Sequence, residues 1–75
     1  MNHVKQAMAL KTFRAQNKLT QLQLADLAIV SLRTIESWES FTNERAPTER
    51  DWILIKARLA AREKATLLRL RSILQ

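Results

Sequence analysis

Cysteine, glycine and tyrosine are all missing from these 75 residues, and proline and histidine occur once each. Without cysteine there is neither a disulfide framework nor a thiolate metal site, and His3 by itself cannot hold a metal ion. Without glycine there is no glycine-rich phosphate loop. Acidic residues are scarce: Asp and Glu number 7 against 13 Lys and Arg, a formal net charge of +6. A surface of that sign attracts polyanions, of which nucleic acid is the commonest. The basic residues are spread along the chain rather than gathered beside a long apolar face, which argues against an anionic membrane surface. No run approaches the ~20 apolar residues that span a bilayer, and Met1 to Leu10 lacks the apolar core of a signal peptide, so a cytoplasmic protein is expected.

Catalytic machinery is missing as well. His3 has no nucleophile to serve, and Asp26, Glu36, Glu39, Glu44, Glu49, Asp51 and Glu63 are scattered among basic residues as solvated or paired surface. Neither an enzyme nor a cofactor is expected. A chain of this length forms one domain near the lower limit of independent stability. A second subunit is therefore the expected support.

What is present is helical. Ala, Leu, Lys, Arg, Gln and Glu dominate, which predicts an all-α fold joined by short turns. Val4, Met8, Leu10 and Phe13 space one face of a first helix ending near Asn17. Thr20 caps a second over Gln21 to Ala28, with Leu24, Ala25 and Ala28 inward. Ser31 caps a third over Leu32 to Ser40, three residues ahead of Thr34 and so without a full capping box. After the polar stretch 41–46 and Pro47, Thr48 with Asp51 opens a fourth helix toward Gln75. One long helix and two helices bent near Ala60 to Arg62 are both open.

Two short helices separated by a tight, Ser-capped turn are the arrangement of a helix-turn-helix. The run Thr20, Gln21, Leu24, Ala25, Val30, Ser31, Thr34, Ile35, Trp38 and Glu39 resembles the Cro and cI phage-repressor family, often termed XRE-like. The likeness extends outward to Leu10, Phe13, Arg14 and Leu19, and onward to Pro47, Ile53, Ala57 and Leu59, about residues 10 to 60. It implies a λ-repressor-like DNA-binding domain of four to five helices over 1–60, with 61–75 as a C-terminal helix of the same domain that serves dimerisation. Close helix crossing explains the small Ala25, and Leu24, Val30, Ile35 and Trp38 supply the apolar wedge. Trp38 and Trp52 are read as core rather than as stacking platforms for bases.

With its core face removed, the third helix offers Leu32, Arg33, Glu36, Ser37 and Ser40 to a groove. Arg33 can donate a planar fork to guanine O6 and N7, and Leu32 either touches a thymine methyl or packs on the second helix. Arg33, Leu32, Ser37 and Glu36 are the candidate base readers. The resemblance gives Gln21 a phosphate contact at a helix N-terminus, with Thr20, Thr34, Ser40, Asn43 and Arg45 around it and Lys18 and Lys11 adding charge. It also implies a structural ion pair between Arg14 and Glu39. Two departures are visible: Lys18 and Ile29 stand where the family carries glycine, so Ile29 is either strained or in a different turn. The loop 40–47 also lacks the usual glycine, and Phe41 packs beneath it or at a subunit interface.

Leu67, Leu70 and Leu74, with Leu68 and Ile73, form more apolar surface than a small domain hides. A partner helix covers Leu67, Leu70, Ile73 and Leu74, or the stripe folds back onto the first helix over Val4 and Met8, or both hold on different faces. A symmetric homodimer would set two recognition helices ~34 Å apart and read an inverted repeat in double-stranded DNA. The expected function is a repressor, often of its own operon, of the compact kind that the resemblance associates with phages and mobile elements. The alternative is an antitoxin that binds both a toxin protein and its own operator.

Overall fold

The computed structural model describes residues 3–42 and 45–74, and all regular structure among them is helical. The helices are α1 (His3–Gln16), α2 (Gln21–Ala28), α3 (Leu32–Trp38) and α4 (Glu49–Leu74).

Each of the last three begins on a side-chain cap. Thr20 Oγ1 accepts from the Gln23 N–H at 3.1 Å, and Gln23 Oε1 accepts from the Thr20 N–H at 2.8 Å. This reciprocal box satisfies two backbone donors that α2 cannot pair internally. Ser31 Oγ accepts from the Thr34 N–H at 3.2 Å and meets the Thr34 hydroxyl at 3.1 Å. At α4, Asp51 Oδ2 receives both the Thr48 N–H and its hydroxyl, while the Asp51 N–H returns to Thr48 Oγ1. α3 stops at Trp38, two residues short of the expected Ser40, because Glu39 serves as its C-cap.

The first two helices end in the same way. Ile29 adopts φ 56°, ψ 48°, its N–H reaching the Asp26 carbonyl while the Val30 N–H reaches that of Ala25. Lys18 has φ 54°, with the Lys18 and Leu19 N–H groups on the Ala15 and Arg14 carbonyls. Both are Schellman closures with a left-handed residue that glycine would fill without strain. Of the two possibilities at Ile29, the strained one holds. The β-branched side chain in that region costs roughly 1–2 kcal/mol. Ile29 is 66% exposed, so little burial is lost on truncation. Ile29→Gly is therefore expected to stabilise the fold by about 1 kcal/mol, after the larger unfolded-state entropy of glycine is deducted. Thermal denaturation should show a melting temperature about 4–8 °C higher, and a lower one would contradict the strain.

Leu10, Leu24, Ala25, Ala28, Ile35, Trp38 and Ile55 form the core, with Phe13, Leu19, Val30 and Trp52 packed around it. On α1 the inward residues are Ala7 and Leu10, whereas Met8 is 56% exposed, so Met8 does not belong to the buried face as its spacing predicts. Trp52 meets Phe13 edge to face, ring centroids 5.5 Å apart.

α4 is a single helix of 26 residues, about 39 Å long. Nothing interrupts it, because no glycine or proline follows Pro47. Ile55 is its only buried described residue, and every described residue from 61 onward is exposed. The expected alternative in which Leu67 to Leu74 fold back over Val4 and Met8 is thus not adopted. A straight, well-capped helix carries these residues past the end of the core, giving a molecule of 51 × 20 × 19 Å.

Candidate nucleic-acid interface

α3 is short and has two faces. Ile35 and Trp38 are buried. Leu32, Arg33 and Glu36 are exposed, and Ser37 and Ser40 are half-buried on the same side. Positions 33, 36 and 37 lie three and four apart on one helical surface, and Ser40 follows just past the end of α3. Arg33 is in no ion pair among the described residues. Leu32 is 39% exposed and lines a cleft of about 570 Å³ with Leu22, Gln23 and Ala25 of α2. Leu32 therefore flanks α2 and still presents part of its side chain outward.

The far end of α3 is clamped. Glu39 is 4% exposed and receives Arg14 Nε at 2.8 Å, Arg14 Nη2 at 3.1 Å and Gln21 Nε2 at 3.1 Å. Arg14 Nη1 also donates to the Leu19 carbonyl at 3.2 Å. The planar guanidinium matches the carboxylate two bonds for two, which neither lysine nor an amide could do. Through these contacts the end of α1, the start of α2 and the end of α3 share one polar junction. The third donor, Gln21, was not foreseen in that role; its sequence position at the head of α2 points only to a helix N-terminus.

The other expected phosphate contacts differ in how far their side chains are already engaged. The side chains of Thr20 and Gln21 are occupied by the α2 cap and by Glu39, which leaves the first-turn N–H groups of Gln21 and Leu22 without an intrahelical partner. Thr34 is half-buried against Ser31, and Ser40 Oγ accepts from the Thr42 N–H at 3.3 Å. Lys18 and Arg45 are exposed. Asn43 lies outside the described residues. Lys11, expected only to add charge, holds its ammonium 4.7 Å from the centroid of the Phe41 ring.

No family model, curated protein or solved structure matches this chain. Leu67, Leu70, Ile73 and Leu74, the expected dimerisation residues, are 50–85% exposed. Among the described residues no helix is long and apolar enough to cross a membrane.

Proposed function

We propose that this protein is a sequence-specific regulator that binds double-stranded DNA as a homodimer, an XRE-like helix-turn-helix repressor acting on an inverted repeat near its own gene. The observation that carries the reading is the division of α3: Ile35 and Trp38 anchor one face, while Arg33, Leu32, Glu36 and Ser37 stand on the other. A three-residue turn and the Arg14, Gln21 and Glu39 junction hold that outward face rigidly to α1 and α2, as groove reading requires. The net charge of +6 supplies the sequence-independent attraction to phosphate. The exposed α2 and loop positions flank α3 where backbone contacts would set its register.

A titration of wild type and Arg33→Ala against the DNA upstream of the gene, with a scrambled duplex as competitor, tests the reading. Wild type is expected to select its site, and Arg33→Ala to lose ~1–3 kcal/mol of discrimination, roughly five- to 150-fold, while keeping weak unselective binding. Equal affinity of wild type for both duplexes would refute the autorepressor.

The exposed apolar stripe on α4 also supports a second reading, an antitoxin whose stripe holds a toxin protein. A stoichiometric protein partner isolated with the chain from its native host would favour it. A DNA-binding dimer of this chain alone would exclude the need for one.

A further inference from the structure

Beyond the core, α4 is an isolated rod with an ordered surface. At 100° per residue, Leu59, Glu63, Leu67, Leu70, Ile73 and Leu74 share one side. Arg62 and Arg69 border it along one edge and Lys64 and Arg71 along the other. The apolar members beyond residue 61 are half or more exposed. A segment of this length held to the core by little more than the exposed Arg62–Asp26 pair is marginally helical in water, so the rod calls for an occupant of its stripe.

We infer that the occupant is a second copy of α4 running antiparallel, with Leu67 of each chain stacked on the partner's Leu70. The inference deepens the homodimer of the reading above by fixing its polarity, and its dimer does not depend on DNA. Charge decides the direction. Glu63 is the one acidic residue between Lys56 and Leu74, and it lies at the centre of the stripe among six basic residues of that segment. In a parallel, in-register pair the two Glu63 carboxylates would meet in the interface, where like charges repel and lose solvent. In the antiparallel pair they are ~16 Å apart, and each lies beside the partner's Leu74 and one turn from the partner's Arg71. Each carboxylate then sits between Lys64 and the partner's Arg71, offsetting the repulsion between those cations.

The shape of the molecule agrees. Where the rod leaves the core, Leu59, Arg62, Glu63, Thr66 and Leu67 border a groove of about 450 Å³ that is also lined by Asn17, the residue after α1. A parallel partner would bring its own core to the same level beside this groove. An antiparallel partner brings only its helix end there. The second copy's core then lies at the opposite end of the pair, and the two cores are separated along the axis by ~26 Å at Ala60 and ~40 Å at Ile55. That interval includes the ~34 Å of one DNA turn needed by paired recognition helices.

The absence of cysteine makes the test direct. Ala57→Cys and Ala65→Cys are exposed changes off the stripe, and nitroxide labels on each can be measured by pulsed electron paramagnetic resonance without DNA. The antiparallel pair predicts axial separations of ~35 Å at Ala57 and ~10 Å at Ala65. Equal separations at both sites mean a parallel pair and overturn the inference. No dipolar signal at any concentration overturns it as well, and insertion of that monomer into anionic phospholipid vesicles would reassign the stripe to lipid. As a second measurement, Glu63→Arg is expected to weaken dimerisation roughly tenfold and Arg71→Glu added to it to restore most of the loss. Failure of the rescue counts against the facing pair. Because all arms omit DNA, a loss of dimer and a loss of operator binding are read separately.

Discussion

Arg14→Met is expected to destabilise the protein by about 3–5 kcal/mol, a large fraction of the total stability of so small a domain. The loss arises at Glu39, whose side chain is 3% exposed. With the guanidinium gone, a buried carboxylate loses two of its donors and keeps the Gln21 amide. It also caps the C-terminus of α3, where the helix dipole opposes negative charge. Methionine preserves much of the arginine stem's packing, so the change reports mainly on charge. The double variant Arg14→Met, Glu39→Leu removes the orphaned carboxylate with its partner and is expected to recover most of the loss. Denaturant unfolding of wild type, both single variants and the double gives the coupling directly, at one protein concentration because dimerisation adds to apparent stability. A cost for Arg14→Met below about 1 kcal/mol would mean that the junction behaves as an ordinary surface pair.

The second large effect is expected at Ile55→Ala, about 2–5 kcal/mol. Ile55 is wholly buried and is the one described residue of α4 so placed. Half-buried Leu54 and Leu59, the Trp52 ring against Phe13, an Arg58 contact with the Asp26 carbonyl and an Arg62–Asp26 pair at 2.8 Å accompany it. The last two are exposed and contribute little. The truncation therefore both lowers the global unfolding midpoint and loosens α4 locally. Hydrogen exchange should show amides near residue 55 losing protection ahead of those in α2. Ile53→Ala is the matched control, since Ile53 is 62% exposed and its loss is expected to stay within about 0.5 kcal/mol. Equal effects at the two isoleucines would show that α4 is not held through Ile55.

Helix starts were legible because their determinants are local. Thr20, Ser31 and Thr48 each act on a residue three positions ahead, within reach of one turn of backbone. Helix ends were less so. The stop at Trp38 coincides with Glu39 turning to Arg14, 25 residues away in the chain, and no local spacing marks that end. The inward choice of Ala7 over Met8 is of the same kind. Both are compatible with one helical face, and the space left by the neighbouring helices admits the smaller residue.

The candidate surface divides similarly. Removing Ile35 and Trp38 from the third helix leaves Arg33 and Glu36 outward, a consequence of helical period alone. The engagement of Gln21 with Glu39 follows instead from two helices meeting at a third, and it turns a side chain expected at phosphate into a structural donor.

By itself the sequence determined an all-helical chain, three capped helix starts, a cationic surface and an apolar stripe near the C-terminus, since composition, capping and periodicity act over a few residues. Tertiary structure alone decided that Ala7 rather than Met8 is turned inward, that Gln21 joins Arg14 at Glu39, and that the α4 stripe projects beyond the core. Those outcomes depend on how much space and how many partners distant helices leave, and that is settled only when the helices pack.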